Sequence, residues 1–160
     1  MPMAGRKTRG QPLPAQEPRS ARWSIHFFQR HVGHDDGQAV PARDFLDTCP
    51  DTVRGKMLAV LRAVADAPPP AFSGGGYWEA MHGDMSGYYE VRIDGPKRTH
   101  YRLFCVLERA GGAHGLGGPS IVLLIGMVKE FKTTFSKADY KKVRDVGDEY
   151  RSRSPRSVAR

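Results

Sequence analysis

One stretch of the chain, IVLLIGMVKEF at residues 121–131, constrains the fold more than any other. Its first eight residues carry no charged or polar side chain, whereas a strand with one face in water alternates apolar and polar residues. A run that is apolar on both faces is typical of an inner strand of a sheet that is covered on both sides. We therefore expect a sheet that contains this segment as an inner strand.

The rest of the chain supplies further strands and helices at spacings typical of a mixed fold. Strands are predicted at residues 22–30, 88–94 and 98–109, two helices within 41–70, and a last helix after Ser136. The order β-α-α-β-β-β-α predicts a small α+β domain. We expect a four-stranded antiparallel sheet with two N-terminal helices on one face and a C-terminal helix at the surface.

The two ends of the chain differ in composition from its middle. Residues 1–21 combine arginines, one lysine and prolines with almost nothing apolar, which predicts a basic disordered arm. Residues 151–160, with the sequence RSRSPRSVAR, predict a basic flexible tail. Residues 22–150 are left for one domain, in keeping with a length of 160 residues.

Charge narrows the class of partner without choosing one. The formal charge is +8 and the pI about 9.8, which favours polyanionic partners such as RNA, DNA or an acidic protein. No apolar run approaches the roughly 20 residues that span a bilayer, and the N-terminal segment lacks the apolar core of a signal peptide. We expect a cytoplasmic protein that binds no membrane, with Cys49 and Cys105 as free thiols.

The strands predicted at 88–94 and 98–109 carry a cluster of charge. A three-residue connection, GPK, would pair even-numbered residues with even-numbered ones, so that charged side chains share one face. The expected pairs are Asp94 with Arg98, Arg92 with His100, and Glu90 with Arg102. On the face away from the helices we expect a basic patch of Arg92, Arg98, His100 and Arg102, with Lys97 at its edge. This patch is either a solvated face or a site for a polyphosphate, since clustered cations repel unless an anion lies among them.

Three segments together resemble a known family. They are RWSIHFF…VPARDFLDTCPDTVRGKMLAVLRAV, YEVRIDGPKRTHYRLFCVLE and IVLLIGMVKEFKTTFSKADYKK. The chain resembles the RelE/ParE superfamily of type II toxin–antitoxin toxins, most closely its HigB-like, phage-associated branch, over about residues 22–150. The most specific parts are YEVR…YRLF and GMVKEFKTTFSKADY.

The resemblance implies a RelE-like fold and a ribosome-dependent mRNA endoribonuclease, an mRNA interferase that inhibits translation and growth. It implies as partners mRNA on the ribosome and a cognate antitoxin, often a helix-turn-helix protein, with no small-molecule substrate. In such toxins the 2′-OH of the RNA attacks the neighbouring phosphodiester, and neither a metal nor another cofactor takes part. The chemistry needs a proton acceptor, cations near the phosphate and a proton for the departing 5′ oxygen.

The resemblance also implies roles for particular residues. Family members often have an arginine after the last strand, where this chain has Lys129 and Lys132. His100 can act as base or acid because an imidazole titrates near neutral pH. For Tyr140 the helical spacing with Val143 also fits packing, which is the favoured interpretation. The implied catalytic residues are Arg92, His100, Arg102 and Lys129, and the implied RNA-binding residues are Lys97, Arg98, Lys132, Lys137 and Tyr140.

Two alternatives remain at this point. A ParE-like toxin binds DNA gyrase without enzymatic chemistry, and a degenerate relative binds only RNA or its antitoxin. A metal site is not expected, since the histidines and aspartates of HFFQRHVGHDD match no familiar ligand spacing. For the nuclease, replacement of Arg102 or His100 by alanine is expected to abolish growth inhibition and to leave the fold intact.

Overall fold

The computed structural model describes residues 22–69 and 76–160; the basic arm expected for residues 1–21 lies outside them. The described chain contains five strands and three helices. The strands are β1 (Ser24–Phe27), β2 (Trp78–Ala80), β3 (Tyr88–Asp94), β4 (His100–Glu108) and β5 (Ser120–Lys129). The helices are α1 (Pro41–Thr48), α2 (Asp51–Asp66) and α3 (Lys137–Arg151).

The α+β class is confirmed, but the four-stranded antiparallel sheet is wrong. The strands form one five-stranded sheet in the order β1-β5-β4-β3-β2. β1 runs parallel to β5, and the other neighbours are antiparallel, so the sheet is mixed. The added strand, β2, has three residues, which is too short for an alternating pattern to reveal.

Helices cover both faces of this sheet. α1 and α2 pack on one face, where Ile121 and Leu123 of β5 are buried. α3 packs on the other face, where Val122 and Leu124 are buried. This arrangement explains why β5 is apolar on both sides, and it corrects the expectation of a sheet face free of helices. None of the helices in the described ranges has the length and apolar character to cross a membrane.

A β-bulge in β5 decides which of its residues reach the face that α3 covers. The β4–β5 pairing shifts by one residue: Cys105 lies opposite Leu123, whereas Phe104 lies opposite Ile125. Leu124 is the extra residue, and an extra residue reverses the alternation of the strand beyond it. Lys129 therefore lies opposite His100 and shares its face. Without the bulge, Lys129 would lie on the face of α1 and α2.

The β3–β4 connection is longer than the three residues expected from the sequence. A 3₁₀ turn, Pro96–Arg98, lies between the strands, and the Gly95 amide donates to the Thr99 carbonyl at 2.9 Å. Even-numbered residues do pair with even-numbered ones, but the offset is shifted by two. The pairs predicted for Asp94, Arg92 and Glu90 are therefore wrong, and the observed ones are Asp94 with His100, Arg92 with Arg102 and Glu90 with Phe104.

The segment after α3, expected to be a flexible tail, packs against the domain. Val158 forms a β-bridge with Phe28, and the Ala159 amide donates to the Phe27 carbonyl at 2.8 Å. Arg156 forms an ion pair with Glu108 at 3.3 Å, in which both side chains are mostly buried. The hydroxyl of Tyr150 donates to the same carboxylate at 2.9 Å. The tail therefore neutralises a buried carboxylate of β4.

Replacing Arg156 by alanine is expected to lower the free energy of unfolding by about 2 kcal/mol, because the mostly buried Glu108 side chain would lose its arginine partner. Urea unfolding measures the effect. Arg160→Ala is the matched control, since Arg160 is exposed at the end of the same tail. Equal stability of the two variants would mean that the tail contributes nothing through this ion pair.

Candidate functional site

α3 covers only part of its sheet face. The uncovered part carries mostly polar side chains. They form two adjacent rows across β5, β4 and β3, because residues directly opposite one another share a face. We call these rows the two-row site. The outer row is Lys129, His100 and Asp94, and the inner row is Met127, Arg102 and Arg92. All four residues implied as catalytic thus occupy neighbouring positions on one face.

His100 is held by a carboxylate. Its Nδ1 lies 2.9 Å from Oδ1 of Asp94 and 3.4 Å from Nη2 of Arg102. Because Asp94 is the closer partner and accepts only, Nδ1 carries the proton and donates it to Asp94. In the neutral imidazole the lone pair is then on Nε2, the nitrogen that a base would use. The same hydrogen bond, with help from Arg102, holds the pKa of Asp94 below its usual range.

Arg102 is largely withdrawn from solvent, with 7% of the residue exposed. Its Nη1 donates to the Tyr101 carbonyl at 2.9 Å and to the Ile93 carbonyl at 3.4 Å, and lies 3.3 Å from Oδ1 of Asp94. The hydrogen-bonding capacity of Nη1 is therefore used within the protein itself. Arg102 orients Asp94 and places a positive charge beside His100, and only Nη2 is turned toward the imidazole.

The remaining two cations are neutralised by carboxylates of the same chain. Arg92 pairs with Glu79 at 3.0 Å and with Glu90 at 3.6 Å. Lys129 pairs with Asp139 at 3.0 Å. The two-row site therefore already holds anions among its cations, and mutual repulsion of the cations does not by itself require a bound phosphate.

The start of α3 borders the site. Ser136 caps the helix, with its hydroxyl accepting from the Asp139 amide at 3.1 Å, while Asp139 accepts from the Ser136 amide at 2.8 Å. The hydrogen bond from the Ser136 amide lowers the pKa of Asp139 most, and the hydrogen bond from Lys129 lowers it further. One carboxylate thus joins the helix cap to the outer row, so the helix start and Lys129 are positioned together.

A cavity of about 450 Å³ lies between β2, β3 and α3, lined in part by Glu90, Lys137 and Tyr140. Burial raises the pKa of Glu90, and Glu79 adds to the effect, while Arg92 and Arg102 oppose it. Tyr140 packs edge-on against Phe104, with ring centroids 6.3 Å apart. Burial raises the pKa of the Tyr140 hydroxyl, and the charge of Glu90 raises it further. This contact favours packing as a role of Tyr140.

Comparisons of the chain with models of protein families, with curated proteins and with solved structures found no match. The chemistry of the site therefore has to be derived from its own residues. A histidine with Nε2 directed away from its carboxylate partner can remove a proton, and adjacent cations can stabilise an anionic group. Within residues 22–69 and 76–160, no group of three His, Cys, Asp or Glu side chains is placed to hold a metal ion.

The residues implied as RNA-binding are not all in one place. Lys97 and Arg98 lie in the turn between β3 and β4, and Lys132 follows the end of β5. Lys137 is the first residue of α3 and lines the cavity with Tyr140. The turn and the end of β5 form a second basic group, separate from the cavity.

Sequence reasoning missed two of the carboxylates that neutralise the site, Glu79 and Asp139. Glu79 lies on β2, a three-residue strand that the sequence did not predict, and Asp139 reaches Lys129 from another element. No sequence spacing links these pairs. Asp94 was recognised as a charged neighbour but was assigned to Arg98 because of the register error. A signal did exist for Asp139, since the SKAD sequence fits a helix cap.

Replacing Glu90 by glutamine is expected to raise the melting temperature at neutral pH by about 2 °C. A raised carboxyl pKa means that the folded state favours the protonated form, so the contribution of Glu90 to stability falls as pH rises above the usual carboxyl range. Glutamine removes that penalty. Thermal unfolding of both proteins at pH 5 and pH 7.5 should show a larger gain at the higher pH. Glu79→Gln, which removes an exposed charge, is the control and should give no gain.

Proposed function

We propose that the chain is a toxin of the RelE/ParE superfamily, in its HigB-like branch, and that it cleaves mRNA on the ribosome. The observation that carries the proposal is the outer row: His100 is held by Asp94 through Nδ1 at 2.9 Å, with Lys129 opposite it and Arg102 beside it. This arrangement supplies a base and positive charge on an open sheet face. Cleavage by the 2′-OH of RNA requires this combination and no metal.

In the proposed reaction, Nε2 of His100 takes the proton of a ribose 2′-OH. The 2′ oxygen attacks the adjacent phosphorus, the bond from phosphorus to the 5′ oxygen breaks, and a 2′,3′-cyclic phosphate forms. The departing 5′ oxygen takes a proton from the ammonium of Lys129, which lies opposite His100 in the sheet. Arg102 stabilises the charge that develops on the phosphate, and Asp94 stabilises the imidazolium.

Binding of the phosphate exchanges one set of anions for another. Lys129 would turn from Asp139, and Arg92 from Glu79, toward the phosphate oxygens. Both are surface pairs with side chains about one-third exposed or more on the cationic side, and such pairs contribute little stability in water. Breaking these two ion pairs to bind a phosphate should therefore cost little free energy. A cleft of about 440 Å³ that is lined in part by Arg92, Asp94 and Arg102 borders the two-row site on the side of β3.

The internal neutralisation also favours a second candidate, a relative that binds RNA or an antitoxin without cleaving. In that case the carboxylates near Arg92 and Lys129 keep their partners, and no phosphate reaches His100. The two candidates differ in one readout, because only the nuclease requires the imidazole. For either of them, the partner implied by the resemblance is an antitoxin, often a helix-turn-helix protein.

The experiment that tests the proposal is induction of the protein without an antitoxin, followed by mapping of mRNA 5′ ends. Cuts that cluster within translated codons, and that disappear in His100→Gln, are expected. Uncut mRNA with arrested growth would reject the nuclease, and accompanying DNA damage would favour a gyrase-binding toxin. Uncut mRNA without growth arrest, but with RNA bound by the purified protein, would favour the non-cleaving relative.

A further inference from the structure

An exposed aromatic ring lies at the end of the two-row site. Phe131, just beyond β5, is 43% exposed. The guanidinium of Arg98 lies 5.1 Å from the centre of its ring and the ammonium of Lys132 lies 5.5 Å from it. We call Phe131, Arg98 and Lys132 the aromatic platform. Sequence reasoning assigned no role to Phe131.

The cations of the aromatic platform differ from those of the two-row site. Arg92, Arg102 and Lys129 each pair with a carboxylate. Neither Arg98 nor Lys132 has an ion-pair partner among the residues that the structure describes. Their charge is therefore not neutralised by the described protein, and it is available to an external anion.

The backbone of the platform is strained in a way that glycine would relieve. Arg98 has φ 56° and Lys132 has φ 66°, and Lys97 beside them has φ 55°. This left-handed conformation costs a residue with a side chain about 1 kcal/mol or more, whereas glycine adopts it freely. Such residues cluster at functional sites. The chain thus holds cationic side chains at positions where glycine would fold more easily.

The platform is continuous with the outer row. Arg98 precedes His100 by two residues and Phe131 follows Lys129 by two residues, while His100 and Lys129 lie opposite one another. The ring and its cations therefore extend the same end of the β4–β5 pair. An RNA strand with one phosphate at His100 could therefore place a neighbouring nucleotide at Phe131.

We propose that the aromatic platform binds single-stranded RNA, with an unpaired base stacked on Phe131 and flanking phosphates bound by Arg98 and Lys132. The inference rests on the proposed function, since it names how the substrate of that site is held. A stacked base requires an exposed ring and a strand that is not already paired, and the cations match a backbone with one charge per nucleotide. The aromatic platform thus accounts for binding of an unpaired strand, without reading its sequence by hydrogen bonds.

Binding is measured by fluorescence anisotropy with a short 2′-O-methylated single-stranded RNA, which binds but cannot be cut by 2′-OH attack. Phe131→Leu keeps an apolar side chain but loses the ring, and we expect about tenfold weaker binding. Phe131→Trp is expected to bind as well as the unaltered protein or better. Val32→Ala is the control for an exposed apolar residue elsewhere, since Val32 is 52% exposed, and its affinity should not change.

A second pair of variants separates charge from strain. Arg98→Gly is expected to keep or raise the melting temperature, yet to weaken RNA binding several-fold and to reduce the salt dependence by about 0.7 in the slope of log affinity against log salt. Gln38→Gly is the matched control, because Gln38 also has a left-handed backbone, with φ 47°, and lies outside the aromatic platform. It should change stability in the same direction and leave RNA binding unaltered.

The outcomes distinguish this inference from the proposed function. Cleavage of mRNA with RNA binding that does not depend on Phe131 would overturn the aromatic platform alone. Binding that depends on Phe131 without any cleavage would overturn the nuclease and retain the platform. Stacking of an unpaired base would be rejected if binding of an RNA duplex of the same sequence, or of an acidic peptide, depended equally on Phe131. It would also be rejected if the protein bound no RNA.

Discussion

Replacing His100 by glutamine is expected to reduce mRNA cleavage by about 10²- to 10⁴-fold, the range that a positioned base contributes. Glutamine retains a polar side chain but has no nitrogen that can take a proton from a 2′-OH. The side chain of His100 is 24% exposed, so the fold should be unaffected. Cleavage is measured as the rate of mRNA loss in a translating extract, and stability by thermal unfolding.

Two companion variants make the His100 experiment decisive. His31→Gln changes a histidine that lines, together with Arg153, a cavity beyond the far end of α3, and should leave cleavage unchanged. Asp94→Asn removes the carboxylate that orients the imidazole, and a loss of about tenfold to a hundredfold is expected. Full activity of His100→Gln at unaltered stability would mean that this imidazole takes no part in the chemistry.

The fold was predictable from the sequence where a pattern repeats over many residues. The two-sided apolar run of β5 indicated an inner strand, and the structure covers it on both faces. The same run concealed the bulge at Leu124, because apolar residues on both sides give no signal when the alternation reverses. The register of β3 and β4 failed for a different reason. Left-handed backbone at Lys97 and Arg98 lengthens the turn, and neither residue type favours that conformation.

For the site, sequence reasoning identified the cations together with Glu90 and Asp94, and missed two further carboxylates, Glu79 and Asp139. Arg92, His100 and Arg102 lie on adjacent strands, so alternation alone placed them on one face, and the two-residue shift in register preserved that face. Glu79 and Asp139 reach the site from β2 and α3, through contacts between neighbouring elements that no residue spacing indicates. Burial of Arg102 was not predictable either, because it follows from the close approach of the Ile93 and Tyr101 carbonyls.

Replacing Arg102 by alanine is expected to destabilise the fold as well as to impair cleavage, which corrects the expectation that the fold would remain intact. Arg102 is 7% exposed and donates to two backbone carbonyls and to Asp94. Removing it takes a buried donor away from each of these acceptors, and a loss of about 2–4 kcal/mol in the free energy of unfolding is expected. Cleavage should fall by about 100-fold or more, since His100 loses both its neighbouring charge and the orientation of Asp94.

Arg92→Ala is the matched variant that separates charge from folding. Arg92 lies directly opposite Arg102 in the sheet, but its side chain is 39% exposed and its closer partner, Glu79, is a surface carboxylate, while the more buried Glu90 lies 3.6 Å away. Its loss should cost no more than about 1 kcal/mol of stability and should still weaken cleavage. Urea unfolding and the cleavage rate, measured on both variants at a temperature where each is folded, test the distinction. If Arg102→Ala were as stable as the unaltered protein, its buried hydrogen bonds would not be what holds Asp94 and His100 in place.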